Sequence, residues 1–227
     1  MKHRSIAIDG PAGAGKSTLA RKAAKELGFL YVDTGAIYRT VGLNALRSGA
    51  DPTDAGQIIP LLAEMRITMD YGPDGEQRMF LNGEDVSKAI REHHISDLAS
   101  KVSAIPEVRA YLLDFQRQQA REHSVVMDGR DIGSVVLPNA DVKVFLTAAA
   151  EARAKRRVLD LEQRGQTADF NTILQDIIRR DHQDSTRAVA PLKRTEDAVL
   201  LDTTDLNLDE SLNALLAIIK ERINCDC

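Results

Sequence analysis

The segment Gly10-Pro11-Ala12-Gly13-Ala14-Gly15-Lys16-Ser17 decides the fold of this chain. It matches the phosphate-binding loop pattern G-x-x-x-x-G-K-[ST], the P-loop, at every defined position. The glycines let several backbone N–H groups face one anion, and the helix that follows directs its positive end to the same point. In such a loop Lys16 reaches the β- and γ-phosphates of a nucleotide and the Ser17 hydroxyl binds Mg²⁺. We therefore expect ATP and Mg²⁺ here, with ATP held by Gly10, Pro11, Ala12, Gly13, Ala14, Gly15, Lys16, Ser17 and Thr18.

The elements around the loop predict an α/β fold. The apolar run Ser5–Asp9 predicts a buried strand that leads into the loop, and Lys16–Leu27 has the apolar spacing of a helix. A second strand and a second helix, which Asp33 is placed to cap, continue the alternation. Near the end of the chain, Asn207 and Glu210 predict a capping box for a last helix. Such alternation predicts a doubly wound parallel sheet of five strands, which we expect to begin at Ser5, Phe29, Ser124, Val142 and Ala198.

A β-hairpin interrupts this alternation. The strand-like segments Arg66–Tyr71 and Gln77–Asn82 flank the turn Gly72-Pro73-Asp74-Gly75, which indicates a small β-containing inserted subdomain. Further along, Glu151–Gln163 and Phe170–Asp184 predict two more helices. We expect one P-loop domain over residues 1–227, with a core at 1–62, 106–150 and 186–227, an insertion at about 63–105 and a lid region at about 151–185.

Composition narrows the classes of partner. The chain has 227 residues, 43% of them hydrophobic, and a net charge of −4, which argues against a general nucleic-acid-binding protein. It has no run of 18 apolar residues, and the apolar run Ile6–Ile8 is too short for a signal peptide. The two cysteines, Cys225 and Cys227, are most simply two thiols in a reducing compartment. We expect a cytoplasmic monomer with neither a membrane nor a nucleic acid as partner.

Several classes of nucleotide-binding protein share the P-loop. A GTPase usually carries an Asn-Lys-x-Asp motif, which this sequence lacks, and motor or transporter ATPases are usually larger. A short chain with arginine-rich segments away from the loop suits a small-molecule kinase, which must exclude water from the γ-phosphate. Two alternatives stay open: a kinase for shikimate, UMP or a coenzyme A precursor, and a nucleotide-dependent switch.

The predicted lid is rich in arginine. Arg153, Arg156 and Arg157 have the i, i+3, i+4 spacing of one helix face, Arg164 follows, and Gly165 provides a hinge. Phosphoryl transfer spreads negative charge over the equatorial oxygens, where guanidinium groups stabilise it. We expect this segment to be mobile without ligand and to close over ATP. The other reading is a solvated basic helix face.

Two aspartates close predicted central strands. Asp33 and Asp128 follow apolar runs and would lie at the carboxyl edge of the sheet, where ligands bind in such folds. With Ser17 they are the candidate Mg²⁺ ligands, and the alternative for each aspartate is a helix cap or a loop salt bridge. His93 and His94 lack acidic or cysteine neighbours at metal-binding spacing and are read as ordinary residues.

Four segments carry a more specific pattern. They are Ile8-Asp9-Gly10-Pro11 with the P-loop, Asp33-Thr34-Gly35-Ala36-Ile37-Tyr38-Arg39, Asp128-Gly129-Arg130-Asp131-Ile132-Gly133, and Arg187-Ala188-Val189-Ala190-Pro191-Leu192. Together they resemble the bacterial-type cytidylate kinases over nearly the whole chain. The resemblance implies transfer of the γ-phosphate of ATP to CMP or dCMP, a CMP-binding insertion and an arginine-bearing lid.

The resemblance also implies roles for single residues. Arg39 and Arg130 would hold the phosphate of CMP, Asp184 would contact the ribose, and cytosine would be read by Ser100, Arg109 and Asp131. The residues around CMP would be Thr34, Tyr38, Arg39, Ser100, Arg109, Arg130, Asp131, Arg180, Asp184 and Arg187. Those that assist phosphoryl transfer would be Lys16, Arg130, Arg153, Arg157 and Arg180.

Overall fold

The computed structural model describes residues 3–73, 75–163 and 165–224. The described helices are α1 (Lys16–Leu27), α2 (Thr34–Arg47), α3 (Ala55–Glu64), α4 (His93–Val102), α5 (Pro106–Glu122), α6 (Ala150–Gln163), α7 (Phe170–Thr186) and α8 (Leu208–Asn224). The described strands are β1 (Ser5–Asp9), β2 (Leu30–Asp33), β3 (Ile67–Tyr71), β4 (Gln77–Leu81), β5 (Glu84–Asp85), β6 (Val125–Gly129), β7 (Val142–Thr147) and β8 (Val199–Asp202). Four residues named from the sequence, Asp74, Arg164, Cys225 and Cys227, lie outside the described part.

The chain divides into two compact units. The first unit contains Met1–Tyr31 and His123–Cys227, and the second contains Val32–Glu122. The predicted insertion at about 63–105 falls inside the second unit, and its bounds as a CMP-binding subdomain stay a prediction. Among the described residues, no helix is both long and apolar enough to span a membrane.

The predicted five-stranded parallel sheet is confirmed. Its strand order is β2-β6-β1-β7-β8, so β2 forms one edge, β6 lies between β2 and β1, and β7 and β8 follow on the other side of β1. β1 pairs in parallel with β6 on one side and with β7 on the other, and β7 pairs in parallel with β8. In an open sheet of this kind ligands bind beyond the carboxyl ends of the strands, at the point where the strand order reverses. That point is the carboxyl end of β1, where the P-loop begins.

Buried aliphatic side chains hold the first unit together. Ile6 and Ile8 of β1 are fully buried with Leu19 of α1 and with Leu215 and Ile219 of α8 in one cluster. The predicted capping box of α8 is confirmed, because Asn207 N–H donates to Glu210 and Glu210 N–H donates back to the Asn207 side chain. A π-helical turn at Ile132–Val136, which the sequence analysis did not predict, follows β6.

The second unit has its own sheet and core. The predicted hairpin is confirmed as β3 and β4, and the short strand β5 extends it into an antiparallel sheet. Neither β5 nor α3, which contains Pro60, is predicted from the sequence. The helices pack closely: a Cβ on Gly42 of α2 would lie 3.0 Å from the backbone nitrogen of Ala99 in α4.

The capping box of α8 gives a test of local stability. Asn207→Ala removes the acceptor for the Glu210 N–H, and loss of such a cap typically costs about 1 kcal/mol. We expect the midpoint of thermal unfolding to fall by about 2–4 °C in a chain of this size. Asn207→Ser is the control, because its hydroxyl accepts the same bond. Equal unfolding temperatures for the alanine and serine variants would contradict this role of Asn207.

Candidate active site

The P-loop connects β1 to α1, as the motif requires. Gly10 has φ +154°, and a Cβ there would lie 1.9 Å from the carbonyl oxygen of Leu146 in β7. Gly13 and Gly15 have φ angles of +72° and +86°, in the left-handed region that favours glycine. The loop therefore has this path only because three of its positions are glycine.

Lys16 is buried at the start of α1. Its Nζ donates a hydrogen bond of 2.7 Å to the carbonyl oxygen of Pro11, inside the P-loop. Burial, with a smaller contribution from the positive charge of Arg130, lowers the pKa of Lys16 from 10.5 to about 7. Nearby carboxylates, Asp128 foremost, oppose this shift. The lysine thus lies within a loop built for phosphate, with its charge only partly compensated.

Ser17 and Asp128 form the candidate Mg²⁺ site. Ser17 Oγ donates to Asp128 Oδ2 at 3.0 Å, and the Tyr31 hydroxyl donates to Asp128 Oδ1 at 2.8 Å. A hydroxyl and a carboxylate are oxygen ligands of the kind Mg²⁺ prefers, and the ion commonly takes its remaining ligands from phosphates and water. Within the described ranges, no group of three or more His, Cys, Asp or Glu side chains is arranged to hold a metal ion. The pair therefore fits an ion that arrives with a nucleotide.

Asp33, the third candidate metal ligand, lies in the second unit and has other partners. Its Oδ1 accepts the Ala36 N–H at 2.9 Å, which caps α2, and its Oδ2 accepts from Arg39 at 2.7 Å. Both of the alternatives that the sequence left open, a cap and a salt bridge, are thus present at Asp33.

The three lid arginines reach different surroundings despite their common spacing. Arg153 is buried, and its guanidinium donates to the carbonyl oxygens of Ala148 and Ala12, each at 2.8 Å, and pairs with Asp181 of α7. Arg156 donates to the backbone carbonyl of Thr203. Arg157 is partly exposed and pairs with Asp160 at 3.2 Å on its own helix. Arg153 thus donates a hydrogen bond to the P-loop, whereas the hydrogen bonds described for Arg156 and Arg157 go elsewhere.

The loop after β6 gathers several residues that the resemblance assigned to CMP. Arg130 Nε donates to Asp184 Oδ2 at 2.7 Å, and Arg187 lies 3.6 Å from the carboxylate of Asp131. Asp131 and Asp184 are both buried. Arg180 lies one helical turn before Asp184 on α7, and its buried Nε has no hydrogen-bond partner among the described residues.

The second unit holds the other residues assigned to CMP. The Arg109 guanidinium lies over the Tyr38 ring, 5.5 Å from its centroid, and donates to the Ser103 carbonyl at 3.2 Å. Arg39 pairs with Asp33, as described above, and Thr34 is buried as the first residue of α2. Ser100 lies on α4, and its carbonyl oxygen accepts from the Ser103 hydroxyl.

Sequence reasoning missed Asp9 as a residue of the site. Asp9 ends β1 and is buried, and its carboxylate accepts the backbone N–H groups of Ile132 and Gly133, both at 2.7 Å. Burial raises its pKa from 3.8 to about 6, although those two hydrogen bonds act in the opposite direction. One feature of the sequence could have indicated its role: Asp9 is an acidic residue at the end of an otherwise apolar strand, directly before the P-loop.

Comparison with known proteins identifies the family. The family model described as cytidylate kinase matches residues 6–221. The chain belongs to the cytidylate kinase family. A cytidylate kinase of Caldicellulosiruptor bescii is 48% identical over 96% of this chain and 96% of its own. Those of Syntrophotalea carbinolica and Desulfitobacterium hafniense are 48% and 46% identical, over 96% and 98% of this chain and 92% and 95% of their own.

Solved structures support the same fold class. An uncharacterized protein from Eubacterium ventriosum matches with a TM-score of 0.54 and 14% identity, over 96% of this chain and 99% of its own. A gluconokinase from Sinorhizobium meliloti matches with a TM-score of 0.50 and 14% identity, over 99% and 96%. At this level of identity the likeness concerns the fold alone.

The lowered pKa of Lys16 predicts proton uptake when ATP binds. At pH 8 a lysine with a pKa near 7 is mostly uncharged, and phosphates placed beside it raise its pKa. We expect binding of Mg²⁺–ATP at pH 8 to take up roughly half a proton or more, and the affinity to weaken as pH rises above 7. Calorimetry in two buffers of different ionisation enthalpy measures this uptake.

Lys16→Met supplies the control for the calorimetry, because methionine does not titrate. The buffer dependence should vanish in this variant. Identical binding enthalpies of the wild type in the two buffers would contradict the prediction.

Proposed function

We propose that the chain transfers the γ-phosphate of ATP to CMP or dCMP, giving ADP and CDP or dCDP. The observation that carries this proposal is the match of the cytidylate kinase family model to residues 6–221 of a chain whose P-loop has the required conformation. Relatives that share 46–48% of their residues with nearly the whole chain bear the same name.

The phosphates of ATP are assigned to the P-loop. Backbone N–H groups between Gly10 and Thr18 would face the phosphates, and Lys16 would exchange its bond with the Pro11 carbonyl for one with a β- or γ-phosphate oxygen. Ser17 and Asp128 would hold Mg²⁺, which when bound neutralises charge on the β- and γ-phosphates. We assign Asp33 to positioning Arg39, with which it pairs. As a candidate metal ligand it ranks after Asp128, because Asp128 is bonded to Ser17 of the P-loop.

Transfer of the phosphoryl group is assigned to positive charge and to exclusion of water. The transition state spreads charge over the equatorial oxygens, and oriented donors in a dry site stabilise it. Arg153 suits this role because it is buried, oriented by Asp181 and in contact with the P-loop. Arg157 is less fixed and would act only when the lid region at about 151–185 closes. Arg130 and Arg180 complete the set, together with Lys16.

The acceptor phosphate is assigned to two arginines that carboxylates already orient. Arg39 pairs with Asp33 and Arg130 with Asp184, each at 2.7 Å. A planar guanidinium has five N–H donors, so one carboxylate partner leaves others for phosphate oxygens. Asp184 would also contact the ribose. The remaining residues assigned to CMP are Thr34, Tyr38, Ser100, Arg109, Asp131, Arg180 and Arg187.

Hydrogen-bond chemistry explains how the base would be chosen. Cytosine has an amine at C4 that donates, and the carboxylate of Asp131 accepts. Uracil has an acceptor oxygen at C4, so the same carboxylate would face it lone pair to lone pair and reject it. Arg109 can donate to the O2 and N3 acceptors of cytosine. Its guanidinium is already oriented over the Tyr38 ring.

Small nucleotides are the proposed partners, and Mg²⁺–ATP the proposed donor. A net charge of −4 does not favour a nucleic acid as partner. The cytoplasmic location and the monomeric state stay predictions from the sequence.

A panel of acceptors tests the proposed function. ADP release is measured with ATP and, in turn, CMP, dCMP, UMP, AMP and shikimate. We expect CMP and dCMP to give the highest kcat/KM, and Lys16→Ala to lose at least about tenfold in turnover, or roughly 1.4 kcal/mol of transition-state stabilisation. Preference for another acceptor, or ADP release that needs no acceptor, would overturn the proposal.

The role of Asp131 in reading the base has its own test. Asp131→Asn replaces a carboxylate by an amide that can turn either an acceptor to cytosine or a donor to uracil. We expect the ratio of kcat/KM for CMP over UMP to fall by about ten- to a hundredfold, the size of one specific polar contact.

Asp184→Asn is the control, because both nucleotides contain the same ribose. It should lower kcat/KM for CMP and UMP alike. A ratio unchanged in Asp131→Asn would mean that the base is read elsewhere.

A further inference from the structure

The carboxylate of Asp9 joins two segments of the first unit that are far apart in sequence. Asp9 is the last residue of β1 and precedes Gly10 of the P-loop. Its Oδ1 accepts from Ile132 N–H and its Oδ2 from Gly133 N–H, both at 2.7 Å. The side chain is buried, so these bonds are not shared with bulk water. One carboxylate thus connects the start of the P-loop to the loop that carries Arg130 and Asp131.

The loop that Asp9 holds has a conformation that needs support. Asp131 has φ −144° and ψ 28°, neither helical nor extended, and a π-helical turn begins directly after it. The first N–H groups of any helical turn lack acceptors within that turn. Asp9 supplies acceptors for two of them. π-helical turns are rare and occur mostly at functional sites. The two bonds to Asp9 stabilise this one from outside the turn.

The fit around Asp9 leaves little room. A Cβ on Gly133 would lie 3.3 Å from Asp9 Oδ2 and 3.1 Å from the Lys143 side chain. A glycine at this position therefore permits the close approach of the backbone to the carboxylate. Burial of the carboxylate opposes its ionisation, so its retention at this position costs free energy that a neutral apolar side chain would not.

We propose that Asp9 is a positioning residue for the nucleotide acceptor: by binding the N–H groups of Ile132 and Gly133 it holds Arg130 and Asp131 in fixed register with the P-loop. This inference rests on the proposed function, since it takes Arg130 and Asp131 to contact CMP. We assign Asp9 no direct contact with either nucleotide. It acts on the reaction through the loop, which keeps the side chains for CMP aligned with the phosphates of ATP.

Asp9→Asn tests the inference with little change in side-chain size. The amide offers one acceptor in place of two and sets its NH₂ group against one backbone N–H. Misplacement of the loop by a fraction of an ångström should raise KM for CMP by about ten- to a hundredfold. KM for ATP should change by less than about threefold, because the glycines that shape the P-loop are intact.

Asp141→Asn is the matched control. The side chain of Asp141 is only 7% exposed, and its carboxylate accepts a backbone N–H of β1, from Ser5 at 2.8 Å, and pairs with Arg4. It acts at the opposite end of β1, about 13 Å from Asp9 along a strand of five residues. This variant should lower the unfolding temperature while KM for CMP stays within about twofold of the wild type.

The outcomes separate this inference from the proposed function. If the wild type does not phosphorylate CMP, the proposed function fails. Suppose instead that the wild type phosphorylates CMP. If Asp9→Asn then leaves KM for CMP unchanged, or raises KM for CMP and KM for ATP by the same factor, the role of Asp9 is wrong and the proposed function stands.

Should Asp9→Asn not fold, Gly133→Ala displaces the same contact from the other side by a few tenths of an ångström. It should raise KM for CMP at least threefold with little effect on KM for ATP, and its failure to do so would overturn the inference.

Discussion

The parallel pairing of β1 with β6 and β7 is the constraint on which the site depends. Ile8 lies opposite Asp128 and Val144, and Asp9 lies opposite Gly129 and Phe145. Because the strands are parallel and in register, the chain leaves β1 and β6 at the same edge of the sheet. Ser17 and Asp128 therefore lie close together, and the P-loop and the Arg130 loop begin side by side. A slip of one residue would turn the alternate side chains of β1 to the opposite face and break the bond from Ser17 to Asp128.

Paired arginines and aspartates recur in each unit. In the first unit Arg130 pairs with Asp184 and Arg153 with Asp181, and in the second Arg39 pairs with Asp33. Burial of a guanidinium without a counter-charge costs free energy. Each carboxylate removes part of that cost and fixes the orientation of the guanidinium N–H donors. Because a carboxylate balances each of these guanidinium groups, the arginines do not make the chain basic, and its net charge is −4.

Features that depend on neighbouring residues could be predicted from the sequence, whereas contacts between residues far apart in the chain could not. The P-loop, the core strands and the capping box of α8 were predicted because each depends on neighbours in sequence. Helix α3 was missed because Pro60 lies inside it, and a proline interrupts the helical hydrogen bonds. The contact of Asp9 with Ile132 and Gly133 spans more than 120 positions, so no local pattern reveals it. The spacing of the lid arginines correctly predicted that they share one face of a helix. Their different partners depend on how α6 packs, which the spacing does not show.

The burial of Lys16 bears on how strongly the loop binds phosphate. Lys16 donates to the Pro11 carbonyl, and its positive charge is disfavoured by burial and by Arg130. A phosphate oxygen that replaces the carbonyl brings negative charge to a group that has already lost its water, so the interaction is stronger than it would be at the surface. The gain is reduced by the carbonyl bond that is given up, because binding reflects only the difference between the two partners.

The same reasoning applies to Arg153, whose bond to Ala12 places a second desolvated cation against the loop. Lys16 and Arg153 are therefore already dehydrated and oriented before they meet a phosphate, and the cost of ordering these two donors is borne by folding instead of by binding.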